Sequence, residues 1–251
     1  MKTKPIIASV TAAFALILGA MVADAMTVQP VVIELQTSGR GMSQTVSVEN
    51  TFTNPLPVEL SVEDLTFGPE GLTGTGQDSG DLLVFPPQAI IQPGQTQTFR
   101  VQYVGEPSIA RSKHFYVTVA QLPVQLPEGQ SAIQILYNFR VLASVAPPQG
   151  APGIHVVSAE ATRDASGAVH PAVTFTNDSA THGFLSQGRL RIVQRQAGRE
   201  VFRQTIPGPE LQQIIGLGLV GAGQTRRVVV PVTLPVEGGE IEAEFTAERR
   251  R

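Results

Sequence analysis

Apolar and polar residues alternate with a period of two in many short segments of this chain, and this alternation is its most constraining feature. Residues 45–49, 56–62, 98–103 and 114–119 each place apolar side chains at every second position. Because successive side chains of a β-strand point to opposite faces, each segment predicts a strand with one buried face. Turn-forming residues such as Pro93-Gly94 separate the segments. The pattern predicts an all-β fold of mainly antiparallel strands.

The alternation is interrupted at residues 147–153, where the sequence reads Pro-Pro-Gln-Gly-Ala-Pro-Gly. Such a segment cannot lie inside a central strand, so we interpret it as a linker. The number and spacing of strands predict two immunoglobulin-like β-sandwich domains, at 26–146 and 154–251. Residues 107–110 are the best helical candidate, and 211–219 stay ambiguous between helix and strand. Strands are predicted beyond the linker at 154–159, 172–177, 189–195, 226–234 and 241–246.

Residues 1–25 have the features of a cleaved signal peptide. Two lysines precede an apolar run from about Ile6 to Val22, and Ala23-Asp24-Ala25 offers small residues at the cleavage positions. A membrane anchor is the alternative, but the run is short and lacks a basic stop after it. We therefore expect an exported, soluble protein whose mature chain begins at Met26.

Composition and motif content argue against several classes of function. Cleavage would remove two lysines and one aspartate and change the net charge from −3 to −4, which disfavours nucleic-acid or anionic-lipid partners. The absence of cysteine excludes disulfides and thiol catalysis. No serine elbow or phosphate-binding loop is present. We expect no enzymatic activity, metal or cofactor, because the four histidines are scattered without metal-ligand spacing: His114, His155, His170 and His182. His170 and His182 could meet in space, but the sequence favours turn or surface histidines.

One block of the first domain, residues 82–147, resembles a known family. It combines a Pro-Pro step, a Pro-Gly turn, an arginine in the next strand and a Phe-Tyr strand that ends before a proline. This combination is similar to the periplasmic pilus chaperones of the chaperone–usher pathway. The residues that carry the resemblance are Leu83-Val84-Phe85-Pro86-Pro87, Ile90-Ile91-Gln92-Pro93-Gly94-Gln95, Arg100, Arg111-Ser112-Lys113-His114-Phe115-Tyr116 and Gln121-Leu122-Pro123, with Asn50, Asn54-Pro55 and Asn177 also fitting.

The resemblance implies two immunoglobulin-like domains set at an angle, which bind pilus subunits in and beside their cleft and deliver them to an outer-membrane usher. A pilus subunit is an incomplete sandwich, and the chaperone lends it a strand. An ordinary core strand is the alternative for the matching segment here, because periodicity does not separate the two. The apolar face of this expected donor strand consists of Ile133, Ile135, Tyr137, Phe139 and Val141.

The chain departs from the family pattern at the expected anchor for the subunit's terminal carboxylate. Typical members use an arginine in the first strand and a lysine late in the donor strand. Here those positions hold Pro30 and Leu142. The difference implies a divergent, archaic-type branch or a relative with another partner. The candidate replacements are the cations Arg140, Lys113 and Arg100.

Two other classes of function stay open. Tandem immunoglobulin-like domains also form structural or adhesive surface proteins, which would lack a free donor strand. A periplasmic enzyme or metal carrier would need a nucleophile–base pair or a ligand set, and the sequence displays neither. Neighbouring genes for an outer-membrane usher and small pilin-like proteins would favour the chaperone.

Overall fold

The computed structural model describes residues 26–68, 71–123 and 135–248. Its strands form two β-sandwiches that follow one another along the chain. In the described residues the first sandwich contains the strands β1 (Met26–Gln29), β2 (Val32–Gln36), β3 (Ser43–Asn50), β4 (Leu56–Gly68), β5 (Gly71–Gly74), β6 (Leu82–Phe85), β7 (Gln88–Ile91), β8 (Thr96–Tyr103), β9 (Lys113–Gln121) and β10 (Asn138–Ala146).

Two sheets face each other in the first sandwich. One has the strand order β1-β3-β8-β6, and the other has the order β2-β10-β9-β4-β5 with β7 also paired to β4. The β2–β10 pair is parallel, whereas β10 and β9 are antiparallel. The chain passes from one sheet to the other at Pro30 and again at Pro86-Pro87. Proline donates no backbone hydrogen bond, so it fits a place where a strand leaves its ladder.

The core of the first sandwich is built from the inward faces predicted by the alternation. Phe99, Tyr103 and Phe115 are among its largest fully buried side chains. Burying an aromatic or aliphatic side chain of this size contributes about 1.5–3 kcal/mol relative to exposing it. The other buried members are Met26, Val28, Ile33, Leu35, Val46, Val48, Leu56, Val58, Leu60, Leu82, Ile91, Val101, Val117, Val119, Val141, Ala143 and Val145.

The second sandwich pairs the sheet β11-β12-β17 with the sheet β15-β14-β18, and a short β13–β16 pair lies beside them. One α-helix, α1 (Gly208–Ile215), contributes the fully buried Leu211 to its core. No helix in the described part of the chain is long and apolar enough to cross a membrane. The strands are β11 (Ile154–Arg163), β12 (Val169–Asn177), β13 (Gly183–Phe184), β14 (Gly188–Gln196), β15 (Arg199–Pro207), β16 (Leu219–Val220), β17 (Thr225–Val229) and β18 (Glu240–Ala247).

Local structure differs from the sequence-based expectations at three places. Residues 107–110, the predicted helical candidate, are irregular. The helix lies instead at α1, which covers the first half of the ambiguous segment 211–219. Prolines flank the start of α1, where they are well tolerated because the first helical N–H groups have no intrahelical partner. The strand predicted at 226–234 is shorter, because Pro231 cannot donate to the ladder with β12.

A fully buried asparagine occupies the same place in both sandwiches. Asn50 ends β3 and Asn177 ends β12, and each side-chain amide donates to two backbone carbonyls at 2.8–3.1 Å. The backbone of each also exchanges two hydrogen bonds with a Gly-Gln turn, at Gly94-Gln95 and at Gly223-Gln224 respectively. The two domains therefore tie the end of this strand to the rest of the sandwich by one common device.

Candidate functional site

The N-terminal part of β10 is an open edge of its sheet. On one side, β10 pairs with β9 from Asn138 to Val145. On the other side, β2 covers it only from Leu142 to Ala146. Within the described part of the chain, residues 138–141 therefore have a neighbouring strand on one side alone.

The hydrogen bonds of β10 identify the backbone groups that face this open edge. The Leu142 N–H donates to the carbonyl of Val31, the residue preceding β2, at 3.0 Å. The Gln121 N–H of β9 donates to the Tyr137 carbonyl at 2.9 Å. Successive residues of a strand direct their backbone groups to opposite sides. Asn138 and Arg140 therefore direct their N–H and C=O groups toward the open edge, where another strand can pair with them.

Large apolar side chains lie exposed next to the open edge. Ile135, Leu136 and Tyr137 are 70%, 44% and 39% exposed. The Tyr137 ring lies 6.0 Å from the ring of Phe52, centroid to centroid. An exposed row of this kind beside unpaired backbone groups is typical of an interaction surface.

The structure divides the predicted donor face into two parts. Val141 is fully buried in the first core and Phe139 packs against that core, so both behave as ordinary core-strand residues. Ile135 and Tyr137 precede β10 and are exposed. Ile133 lies outside the described residues. The donor-strand hypothesis therefore stays a prediction for the N-terminal part of the segment, which includes Ile135 and Tyr137. Phe139 and Val141, in its C-terminal part, fit the alternative of an ordinary core strand.

The two positions where typical family members carry anchors are neighbours in this structure. Pro30 precedes β2, and the next residue, Val31, accepts the hydrogen bond from Leu142. The Leu142 side chain is 9% exposed and forms an apolar cluster with Phe184 and Leu219 of the second domain. A contact between the domains therefore occupies the place of the expected lysine.

Arg140 lies beside these positions and retains an accessible charge. It is exposed, and its guanidinium carbon lies 5.3 Å from the centroid of the Tyr116 ring, within the range of a cation–π contact. Among residues 26–68, 71–123 and 135–248, no carboxylate forms an ion pair with it. Arg140 is thus able to receive a carboxylate at the open edge.

The other two candidate cations lie elsewhere. Lys113 pairs with Asp81 at 2.5 Å and, in strand register, lies five residues from the position of Arg140, or about 17 Å. Arg100 belongs to β8 in the opposite sheet and donates to the Ser43 hydroxyl at 2.8 Å. The structure does not bring the three candidates together, and of them only Arg140 is at the open edge.

A family model supplies the identification of the first domain. The model described as "Pili and flagellar-assembly chaperone, PapD N-terminal domain" matches residues 25–149. The chain belongs to the pilus-assembly chaperones. No curated protein matches the chaperone's sequence.

Solved structures share the fold of this chaperone at low sequence identity. The YadV chaperone matches with a TM-score of 0.53 and 15% identity over 88% of this chain and 91% of that one. A structure of the chaperone–tip adhesin complex of CFA/I fimbriae matches at 0.51 and 11% over 88% and 98%. A structure of the Salmonella enterica SafA pilin with the SafB chaperone matches at 0.50 and 14% over 90% and 97%. The likeness confirms two immunoglobulin-like domains.

The two domains of the chaperone meet through a contact that the sequence analysis missed. The Ser112 N–H donates to the Ala180 carbonyl at 3.0 Å, and the buried rings of His114 and His182 touch edge to face. The interpretation as turn or surface histidines is therefore wrong for His114, which is buried in a strand, whereas His182 lies in a loop but is buried as well. Alternation places His114 on the outer face of β9, where Phe67 of the first domain and His182 of the second domain, which is remote in sequence, both cover it.

Proposed function

We propose that this protein is a periplasmic, non-enzymatic chaperone that binds pilus subunits and delivers them to an outer-membrane usher. The open edge of β10, with Ile135, Leu136 and Tyr137 exposed beside it, is the observation that carries the proposal. A subunit that lacks its last strand has a complementary open edge and an apolar groove. Strand addition satisfies both surfaces at once.

Two physical contributions stabilise the proposed complex. The backbone groups of Asn138 and Arg140 gain hydrogen-bond partners in the subunit. Ile135 and Tyr137 enter its groove, where full burial of a large apolar side chain contributes about 1.5–3 kcal/mol. Covering the subunit's edge also prevents it from pairing with other subunits, which is the usual route to aggregation through exposed strands.

The relatives support this function over the alternatives. Similar solved structures include a chaperone–tip adhesin complex and a complex of the SafA pilin with the SafB chaperone. Membership in the pilus-assembly chaperones favours this function over that of an adhesive surface protein. Delivery to an usher follows from the resemblance and remains part of the proposal.

Co-expression with a candidate pilin subunit from the same organism tests the proposed function. We expect a complex of the two proteins to be purified from the periplasm. In the absence of the chaperone, the subunit should aggregate or be degraded, because its open edge stays exposed. A subunit that accumulates in soluble form to the same level without the chaperone would contradict the proposal.

The anchor is expected to depend on Arg140. The Arg140→Ala variant should weaken subunit binding about tenfold, or about 1.4 kcal/mol, because a carboxylate in a partly desolvated cleft loses its cationic partner. The loss should shrink at high salt, where screening already weakens the contact. Titration calorimetry at two salt concentrations measures both effects.

Two matched variants serve as controls for the anchor. Lys113→Ala and Arg100→Ala each remove one cation, but Lys113 is already paired with Asp81 and Arg100 lies in the opposite sheet. We expect either variant to change affinity less than about twofold. If one of them weakens binding as much as Arg140→Ala does, the anchor is assigned to the wrong residue.

Export is expected to remove residues 1–25. The charged start, the apolar run and Ala23-Asp24-Ala25 together motivate this expectation. Mass spectrometry of the periplasmic protein should find a chain that begins at Met26. Recovery of an intact Met1, or of the protein in the membrane fraction, would refute it.

A further inference from the structure

Two histidines from different domains pack against each other at the centre of the domain contact. His114 belongs to β9 of the first domain, and His182 precedes β13 of the second. Their rings lie 5.0 Å apart, centroid to centroid, at an interplanar angle of 84°. They are 4% and 5% exposed, so both imidazoles are removed from water.

Each imidazole is held through Nδ1 by a serine hydroxyl. His114 Nδ1 lies 2.8 Å from Ser144 Oγ of β10, and His182 Nδ1 lies 2.9 Å from Ser112 Oγ. The backbone N–H of His182 also donates to Ser112 Oγ at 3.1 Å. Ser112 therefore holds a histidine of the other domain by two contacts, and both depend on the domains staying together.

An aromatic ring packs against each of the two imidazoles. Phe67 lies 5.2 Å from the His114 ring, and Phe184 lies 5.5 Å from the His182 ring, both edge to face. His114 Nε2 is buried and has no hydrogen-bond partner among the described residues. A charged imidazole carries an N–H on both nitrogens. Protonated His114 would therefore place an unsatisfied N–H in apolar surroundings, next to a second histidine.

No charged group in the described part of the chain forms a hydrogen bond with His114 Nε2. Asp64, Asp81 and Lys113 line the same cavity as His114, but Asp81 is already bound to Lys113. On the far side of the contact, Glu34 and Glu248 line a cavity of about 600 Å³ together with His182. Two cations also lie nearby: Arg226 of β17 donates to the Leu219 carbonyl, and Arg111, in the loop before β9, lies beside Gly223.

We propose that His114 and His182 form a pH-sensitive lock between the two domains, which holds them together when neutral and releases them when His114 is protonated. This device belongs to the domain contact itself and goes beyond the proposed subunit binding. Its physical basis is that closure buries the His114 imidazole, whereas separation returns it to water.

The direction of the pH dependence follows from the burial of His114. Burial first, and the nearby His182 second, lower the pKa of His114 from 6.5 to about 3. A lowered pKa means that the closed arrangement is fully stabilised above pH 6.5 and loses stability as the pH falls toward 3. For this single group, the ratio of closed to open molecules decreases by up to about tenfold for each pH unit in that window.

Interdomain distances measured with spin labels test the lock. The chain contains no cysteine, so Thr96→Cys and Gln196→Cys place one label on an exposed site of each domain. Between pH 7.5 and 4.5, pulsed electron resonance should detect a shift from one narrow distance to a broader and longer distribution. Circular dichroism in the far ultraviolet should stay constant, because the domains separate without unfolding.

Matched variants decide whether His114 is responsible. His114→Phe keeps an aromatic ring and removes the titration, so the distance should stay at its pH 7.5 value down to pH 4.5. His155→Gln removes an exposed histidine elsewhere and should respond like the unchanged chain. The proposal is overturned if the distance in the original protein is unchanged at pH 4.5, or if His114→Phe responds as strongly as the original protein. It is also overturned if the circular dichroism signal of the strands is lost between pH 7.5 and 4.5.

A nuclear magnetic resonance titration of the protein with its native histidines covers the case in which His114→Phe fails to fold. The His114 imidazole should become protonated only together with the change in domain arrangement. If it titrates near pH 6.5 while the Ser112 amide stays protected by Ala180, the lock does not exist.

Discussion

Tyr137→Glu and Ile135→Asp are each expected to abolish subunit capture while the chaperone itself stays folded. Both side chains are exposed in the free protein, so a charge there remains hydrated and costs little stability. In the proposed complex the same charge would enter an apolar groove at a cost of several kcal/mol. Binding should fall by more than about a hundredfold, which titration calorimetry measures, while the melting temperature changes by less than about 2 °C.

Val141→Asp is the matched variant for the first prediction. Val141 has the same position in the alternating pattern as Ile135 and Tyr137, but it is fully buried in the first core. Its substitution by aspartate should therefore unfold the domain. If Tyr137→Glu and Ile135→Asp also unfold the free chaperone, this segment belongs to the chaperone's own core. If they stay folded and still capture the subunit, the binding surface lies elsewhere.

The second large effect is expected for stability, at the buried asparagines. Asn50 donates to the carbonyls of Asn54 and Ile91 and accepts from the Phe52 N–H at 2.8–2.9 Å. Asn50→Ala removes these three hydrogen bonds and leaves buried carbonyl groups unsatisfied. At about 1 kcal/mol for each bond, we expect a loss of about 3 kcal/mol in the free energy of unfolding of the first domain.

Asn177→Ala should have an effect of similar size on the second domain. The Asn177 amide donates to Thr181 and Val220, and its Oδ1 accepts from Gly153 and Ser179. Denaturant unfolding measures both variants, with Asn138→Ala as the control because Asn138 is exposed. A loss below about 1 kcal/mol for either buried asparagine would contradict the role assigned to it.

The fold could be predicted from the sequence largely because the strands have one buried face. Residues 45–49, 56–62 and 114–119 lie inside observed strands, and their apolar positions point into the core. Segment 211–219 was ambiguous from the sequence, and the structure places α1 over its first half and over the preceding Gly208-Pro209. In the structure the prolines begin the helix instead of ending one, and that position depends on the surrounding domain.

The shared role of Asn50 and Asn177 had a weak signal in the sequence. Gly94-Gln95-Thr96 and Gly223-Gln224-Thr225 repeat the same three residues after similar intervals. The repeat is too short to identify without the hydrogen bonds, which join each turn to its asparagine. The structure therefore reveals an equivalence between the halves that overall sequence comparison does not detect.

The candidate site was predictable only in part. Alternation identified the segment from Ile133 to Val141, but it could not say where the core ends and the open edge begins. That division depends on β2, which covers β10 from Leu142 onward and comes from the other end of the domain. The contact of His114 with His182 is equally remote in sequence, so no local pattern reports it.

Amide hydrogen exchange of β10 tests the proposed strand donation most directly. The N–H groups of Phe139 and Val141 face β9 and should exchange slowly in the free chaperone, whereas those of Asn138 and Arg140 face the open edge and should exchange fast. With saturating subunit, we expect Asn138 and Arg140 to become protected by at least about tenfold while the other two change little. Unchanged exchange at Asn138 and Arg140 in a fully formed complex would contradict the account.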